Sequence, residues 1–264
     1  MKLGFIGTGN MASAIMGGVI GKGLFKADEI IGADLFAPGR ERAKEQFGIH
    51  VTADNKEVVK NAEVIILSVK PQFYADVIAG IKDEVTDDQI VITIAPGKTL
   101  SWLSEQFGKA VKIVRTMPNT PAMVGEGMTA ACPNEHMTEE EIDRVKEILE
   151  SFGRVEFVPE KLMDVVTAVS GSSPAYVFMF IEAMADAAVS GGMPRAQAYQ
   201  FAAQAVLGSA KMVLDTGKHP GELKDMVCSP AGTTIGAVRT LEEKGFRSAV
   251  FEAVKVCEEI SRSL

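Results

Sequence analysis

The sequence predicts an α/β protein, with a doubly wound sheet over residues 1–160 and an all-helical domain over residues 161–264. Three observations predict it. Short β-branched runs alternate with amphipathic segments through the first part of the chain. A glycine-rich turn follows the first of those runs and opens a helix. Beyond residue 161 the strand-like runs stop and long helical periods take over.

The strand-like runs are Lys2–Ile6, Glu29–Ala33, Glu63–Val69, Gln89–Ala95, Val111–Thr116 and Arg154–Val158. Strands separated by helices pair in parallel and carry helices on both faces. One helix start is explicit: Thr138-Glu-Glu-Glu141 forms a capping box, and Ile142, Val145, Leu149 and Phe152 follow on one stripe. In the second half, Pro174 and Pro194 sit where a first helical turn begins, and Gly191 and Gly217 where helices stop. Pro230 precedes a further helix, with Gly245 near its end. Four or five helices are expected there. Their faces are rich in Ala and Met, more than a small monomer covers, so the helical domain is expected to form a dimer interface.

Composition narrows the function classes. With 47% apolar and 23% charged residues the chain is an ordinary globular one, which excludes disordered and collagen-like architectures. Its 27 basic and 35 acidic residues leave a net charge of −8, which repels phosphate backbones, so nucleic acid is not an expected partner. Cys132, Cys228 and Cys257 form no CxxC and suit no disulfide framework; they read as small buried hydrophobes. Met-Lys leads straight into a strand, and a cytoplasmic location is expected. The most apolar stretch, Val165–Val189, is cut by Ser-Gly-Ser-Ser-Pro and carries Glu182 and Asp186, so no single membrane-spanning helix is expected.

Gly7-Thr8-Gly9-Asn10-Met11-Ala12 is a G-x-G-x-x-A motif in the context it requires, after a strand and before a helix. Gly7 permits the tight turn, Gly9 lets backbone approach a pyrophosphate, and Ala12 lets the helix pack close to the strand. The free N–H groups of the first turn and the helix dipole then face the anion. The motif points to a Rossmann-type dinucleotide domain. Asp34, at the end of the second strand, is placed to accept from a ribose 2′-hydroxyl. Arg40 and Arg42 lie close behind, either to pair with a 2′-phosphate or as solvated helix charges, which leaves NAD(H) and NADP(H) both open. The loops at Ser68-Val69-Lys70-Pro71 and Ile94-Ala95-Pro96-Gly97 end strands three and four, where the crevice of such a sheet lies, and are placed beside the nicotinamide.

Three later segments mix hydroxyls, Pro and small residues: Met117–Pro121 with Gly125 and Gly127, Ser170–Tyr176, and Ser229–Thr234. The last two are expected to open helices, and bare amides with hydroxyls at a helix start suit a carboxylate. His50, His136 and His219 all lie outside these segments, no lysine occurs between Lys161 and Lys211, and no metal-ligand spacing appears. An alcohol dehydrogenase usually carries a His or Lys to move the hydroxyl proton. Hydride addition to a protonated imine needs orientation, an anchor and exclusion of water instead.

On Phe5–Ala12, Val69–Pro71, Met117–Pro121, Ser170–Tyr176 and above all Asp225–Thr234, the chain resembles the pyrroline-5-carboxylate reductase family over essentially its full length. The resemblance implies reduction of the imine carboxylate L-1-pyrroline-5-carboxylate to L-proline, the last step of proline biosynthesis. It implies NADP(H) as the commoner donor, with NAD(H) use also open, and a Rossmann domain followed by a helical dimerisation domain, the homodimers often assembling further. By position, Gly7, Thr8, Gly9, Asn10, Met11, Asp34, Asn55, Ser68, Val69, Lys70, Pro71, Ala95 and Gly97 are the cofactor side, with Asn55 beside the adenosine ribose or its phosphate. By the same resemblance, Ser229, Gly232, Thr233 and Thr234 look like the carboxylate cradle, Thr234 also looks like the hydroxyl near the imine nitrogen and its proton donor, and Glu160 matches a weaker substrate-side position. The chain departs from the family at Ser173 and Ala231, where Gly is usual, at Pro96, where Ala is usual, and at Asp34, where a small hydroxyl residue is frequent. A β-hydroxyacid dehydrogenase relative would carry a catalytic Lys on the long helix after the boundary, but Ala175–Ser190 has none. A dinucleotide-binding sensor would have no need of an intact Ser229–Thr234 segment.

Overall fold

The computed structural model describes residues 2–263, and contacts divide it into two compact units, Met1–Ser172 with Cys257–Leu264, and Ser173–Val256. The sequence patterns place their change at residue 160, twelve residues earlier.

In the first unit eight strands form one sheet among the described residues, in the order β3-β2-β1-β4-β5-β6-β7-β8. In chain order these elements are β1 (Leu3–Ile6), α1 (Asn10–Gly21), β2 (Ile30–Ala33), α2 (Ala37–Phe47), β3 (His50–Thr52), α3 (Asn55–Asn61), β4 (Val64–Leu67), α4 (Tyr74–Ile81), β5 (Ile90–Thr93) and α5 (Leu100–Phe107). They continue with β6 (Lys112–Met117), β7 (Gly127–Pro133), α6 (Glu139–Glu150), β8 (Gly153–Phe157) and α7 (Met163–Val166). Neighbouring strands are parallel except β6 and β7.

Period-two alternation explains the two layers. Val64 and Ile66 face a core with Ala12, Ile15, Met16 and Val19 of α1 and Val145, Ile148 and Leu149 of α6. Ile65 and Leu67 face the opposite core, with Val58 and Val59 of α3, Ile78 and Ile81 of α4, and Leu103 and Phe107 of α5. The α6 capping box forms as expected: the Thr138 N–H donates to Glu141 at 2.9 Å, and the Glu141 N–H donates to Thr138 Oγ1 at 3.3 Å.

Two strands were not among the expected runs. β3 has only three residues. β7 is built from Gly-Met-Thr-Ala-Ala-Cys-Pro, whose small residues give no β-branched run; its place is fixed by antiparallel pairing with β6.

The Ser-Gly-Ser-Ser-Pro segment opens a helix as expected: α8 (Ser173–Ser190) begins at Ser173, with Pro174 in its first turn. Counted together, the helical residues from Glu160 to Ser190 form a run of 31 residues that is apolar enough by composition to cross a membrane. A π-turn and a bend at Ser172 interrupt the α-helix within this run, where the sequence places the cut. The π-turn lies between α7 and α8, over Thr167–Gly171, where the Ser172 N–H donates to the Thr167 carbonyl at 2.8 Å. Pro174 is the cause: it lacks the N–H that the Ser170 carbonyl would accept, and its ring crowds that carbonyl. Asn119 supplies the missing donor, with Nδ2 lying 3.2 Å from the Ser170 carbonyl.

The second unit continues from α8 with α9 (Arg195–Thr216), α10 (Pro220–Val227), α11 (Thr233–Glu243) and α12 (Phe246–Arg262), the last six residues of which belong to the first unit. Its buried core is small, with Ala185, Ala198 and Ala202 at its centre. Phe178, Met179, Phe201, Leu214 and Phe251 are each at least 60% exposed. Faces this apolar mark an interaction surface.

Tyr74, fully buried at the start of α4, ties two strand ends together. Its hydroxyl donates to the Leu67 carbonyl at 2.5 Å and accepts from the Ile94 N–H at 3.3 Å. Burial pushes its phenol above the ordinary value, so it remains a donor. Replacing Tyr74 by Phe leaves both backbone groups unpaired and is expected to cost about 1–3 kcal/mol. Urea denaturation checks this; an unchanged midpoint would show that the clamp contributes nothing.

Candidate functional site

In the first unit the candidate site grows from Gly7. Its φ of +97° is open to glycine, and a Cβ there would lie 2.6 Å from the Ser68 carbonyl oxygen. The Gly7 N–H donates to the Ala33 carbonyl at the end of β2, at 2.7 Å. The Gly7 carbonyl accepts from Ser68 Oγ at the end of β4, at 2.6 Å. Three strand ends thus meet on one residue. Helix α1 starts immediately beyond, with Gly9 as its N-cap, no side-chain cap and no acid in its first turn. Its first intrahelical bond is made by the Ser13 N–H, so the N–H groups of Asn10, Met11 and Ala12 have no partner within the helix. A Cβ on Gly9 would meet nothing within 4 Å. This open space before bare amides fits a pyrophosphate.

Beside it lies a cavity of about 590 Å³, lined by Gly7, Asp34, Phe36, Asn55, Lys56, Val69, Phe73 and Val77 among others. Apolar walls with a few polar groups suit an adenosine. Asp34 is held tightly: its carboxylate accepts from the Thr8 N–H at 2.9 Å, Thr8 Oγ1 at 3.0 Å and the Phe36 N–H at 2.9 Å. Arg40 donates to the Asp34 carbonyl at 2.5 Å and to the Leu35 carbonyl at 3.3 Å, while Arg42 is exposed. The sequence left both arginines open; Arg40 proves to brace the loop after β2.

Ser68, Val69, Lys70 and Pro71 follow β4, and Ala95 and Gly97 follow β5, at the carboxyl ends of adjacent strands joined by Tyr74. Gly97 has a φ of +74°. Glu160 lies in this unit too. Its Oε1 accepts from the Leu100 N–H at 2.7 Å and from Arg115 at 2.8 Å, and Arg115 is 95% buried on β6. Asn119 donates to Ser170 and accepts from the Met128 N–H at 2.9 Å, so the Met117–Pro121 segment holds the π-turn and the start of β7.

The second unit holds a candidate site of its own. Ser229-Pro-Ala-Gly232 is a tight turn closed by the Gly232 N–H on the Ser229 carbonyl at 3.0 Å. Gly232 is the N-cap of α11, whose first turn again has no acid and no side-chain cap. Thr233 and Thr234 are its first residues. A Cβ on Gly232 would lie 2.3 Å from Ser229 Oγ. Ala231 has a φ of +58°, the only non-glycine residue with positive φ among the described residues. The turn places it at the position where glycine is normally required.

Sequence reasoning missed Tyr74 and Arg115 as parts of the site. Arg115 left a signal, since a charge inside the apolar strand run Ile113-Val114-Arg115 must find a partner. Tyr74 left none beyond its place shortly after Pro71.

A doubly wound sheet with a bare-amide cradle at its switch point and an adenosine-sized cavity beside it defines a dinucleotide-dependent oxidoreductase. Comparisons with known proteins narrow the class. Residues 2–97 match the family model described as NADP oxidoreductase coenzyme F420-dependent, and residues 160–264 match that for pyrroline-5-carboxylate reductase dimerisation. The pyrroline-5-carboxylate reductase of Escherichia coli (strain K12) is 53% identical over all of this chain and 98% of its own length. That of Methanosarcina acetivorans is 45% identical over all of this chain and 97% of its own. Among solved structures, the Coxiella burnetii pyrroline-5-carboxylate reductase aligns with a TM-score of 0.91 at 34% identity, covering 99% of this chain and 97% of that one. The Plasmodium falciparum enzyme with NADP bound aligns with the same score at 32% identity, covering 100% and 97%. The chain belongs to the pyrroline-5-carboxylate reductase family.

Two expectations follow from the geometry. Gly7→Ala forces a Cβ onto the Ser68 backbone and is expected to weaken dinucleotide binding roughly tenfold or more, read by NADPH fluorescence titration. Ala231→Gly removes a left-handed strain of about 1–2 kcal/mol. The extra freedom of the unfolded glycine offsets about 0.4–1 kcal/mol. A small net gain in thermal stability is therefore expected; a loss would mean that the turn is not strained.

Proposed function

We propose that this chain carries out its family's reaction, reduction of L-1-pyrroline-5-carboxylate to L-proline as the last step of proline biosynthesis, with two sets of its own residues. The observation that carries the assignment is the pair of helix starts, α1 and α11, each without acids or side-chain caps in its first turn. Both are built to receive anions, one a diphosphate and the other a carboxylate.

NADP(H), when bound, supplies the hydride. Gly7, Thr8, Gly9, Asn10 and Met11 hold the diphosphate through backbone amides. Asp34 and Asn55 border the adenosine ribose. Ser68, Val69, Lys70, Pro71, Ala95 and Gly97 present backbone and side chains to the nicotinamide half. Ser229, Gly232, Thr233 and Thr234 hold the substrate carboxylate, and the Thr234 hydroxyl stands near the imine nitrogen. As the imine carbon gains hydride, the C=N double bond becomes a single bond and its electron pair passes to nitrogen, which carries the proton into the amine of proline. No His or Lys is required, because the protonated imine is already electrophilic. Helix α8 has no Lys, which disfavours the hydroxyacid dehydrogenase reading. The exposed apolar faces of the helical unit support a homodimer, assembling further, as the working form, and the cytoplasm is its proposed location.

Thr234→Val keeps the shape and removes one hydroxyl, so kcat is expected to fall by roughly 10²-fold or less. NADPH consumption with the imine substrate measures it, and unchanged kinetics would remove Thr234 from the mechanism.

A further inference from the structure

The loop after β5, residues 94–99, is fixed at both of its ends by side chains from elsewhere in the first unit. At the start, the Tyr74 hydroxyl accepts from the Ile94 N–H and donates to Leu67, so the ends of β4 and β5 move as one. At the far end, the Leu100 N–H opens α5 and donates to Glu160 Oε1 at 2.7 Å. That same oxygen accepts from Arg115 at 2.8 Å. Arg115 is rooted in the sheet, paired in register with Thr93 of β5 on one side and Cys132 of β7 on the other. A buried guanidinium needs its counter-charge, so Arg115 holds the Glu160 carboxylate in place and the carboxylate holds the helix start. Between these anchors Gly97 takes a left-handed turn.

The geometry points to Glu160 as a positioning residue for the nicotinamide loop, acting through Leu100 and backed by Arg115, rather than as a substrate contact. The inference rests on the proposed placement of the nicotinamide at that loop. Proximity effects make the placement matter, since small displacements of a reacting ring are costly in rate. A substrate contact and a loop anchor differ in what they change. An anchor alters cofactor affinity in the absence of substrate and leaves the imine KM alone. A contact does the reverse.

The test uses the full chain. NADPH binding without the imine is measured for the unsubstituted protein, Glu160→Ala, Glu160→Gln and Arg115→Met. Glu160→Ala is expected to raise the NADPH Kd by roughly five- to tenfold and to lower kcat, with the imine KM at saturating NADPH within about twofold of the unsubstituted value. Glu160→Gln retains an acceptor for Leu100 and should restore most of the affinity. Arg115→Met should weaken NADPH binding in the same direction as Glu160→Ala. An unchanged NADPH Kd in Glu160→Ala with a raised imine KM overturns the proposal. Amide exchange supplies a readout that needs neither variant nor ligand. In the unsubstituted protein the Leu100 N–H should exchange at least about tenfold more slowly than an unbonded amide; a rate equal to that of an unbonded amide overturns the anchor whatever the activity. Failure of the imine reaction itself with normal NADPH binding would instead count against the proposed function.

Discussion

Gly7 bonds to the ends of two strands that flank its own, and the rest of the first unit is arranged around that fact. Its N–H is committed to β2 and its carbonyl to β4. The chain must therefore turn sharply between them, with φ at +97°, before α1 can begin. The turn points the free amides of α1 toward the crevice where the strand order reverses between β1 and β4. Asp34 reinforces the same junction from β2 through Thr8, and Ser68 does so from β4. The cofactor cradle is in this sense the crossing point of the sheet, and its precision is the precision of three buried strands.

The sequence made much of this legible because the first unit obeys local rules. Alternating runs identified β1, β2, β4, β5, β6 and β8 to within a residue or two, and the glycine motif marked the turn that opens α1. What escaped had weak local signals or long-range causes. β7 consists of small residues whose strand state depends on its antiparallel partner. The Ser170–Pro174 segment has the composition of a helix start, and α8 does start at Ser173, but the π-turn before it was not legible: Asn119, fifty-one residues away, supplies the donor that Pro174 lacks. Residue composition identifies a place where an α-helix cannot remain regular. It does not say whether the helix stops there or widens.

The helical unit presents the opposite case. Its helices and their ends were readable from proline and glycine, but its helices do not enclose a substantial core. Only three alanines are centred in its buried cluster, while large apolar side chains on α8, α9 and α12 stand exposed. A chain with that distribution is incomplete as a monomer by the ordinary balance of burial against conformational entropy. The family model matched over residues 160–264 is a dimerisation model, which fits that physical incompleteness.

The two helix starts proposed to receive anions share a further property: what they offer is largely backbone. Neither α1 nor α11 offers a charged side chain in its first turn, so no titratable cluster marks either site. Sites of this kind announce themselves through the constraints on the residues that shape the turn. Gly7 cannot bear a Cβ because of the Ser68 backbone, and a Cβ on Gly232 would displace the Ser229 hydroxyl. Ala231 keeps its methyl group in a left-handed conformation that disfavours it. A turn that persists despite such strain is determined by what surrounds it, and the strain is tolerated where the direction of the following amides matters more than the local cost. The glycine positions and the one left-handed alanine therefore mark the turn before α11, the proposed carboxylate cradle, more sharply than its hydroxyls do, because hydroxyls cap helices everywhere.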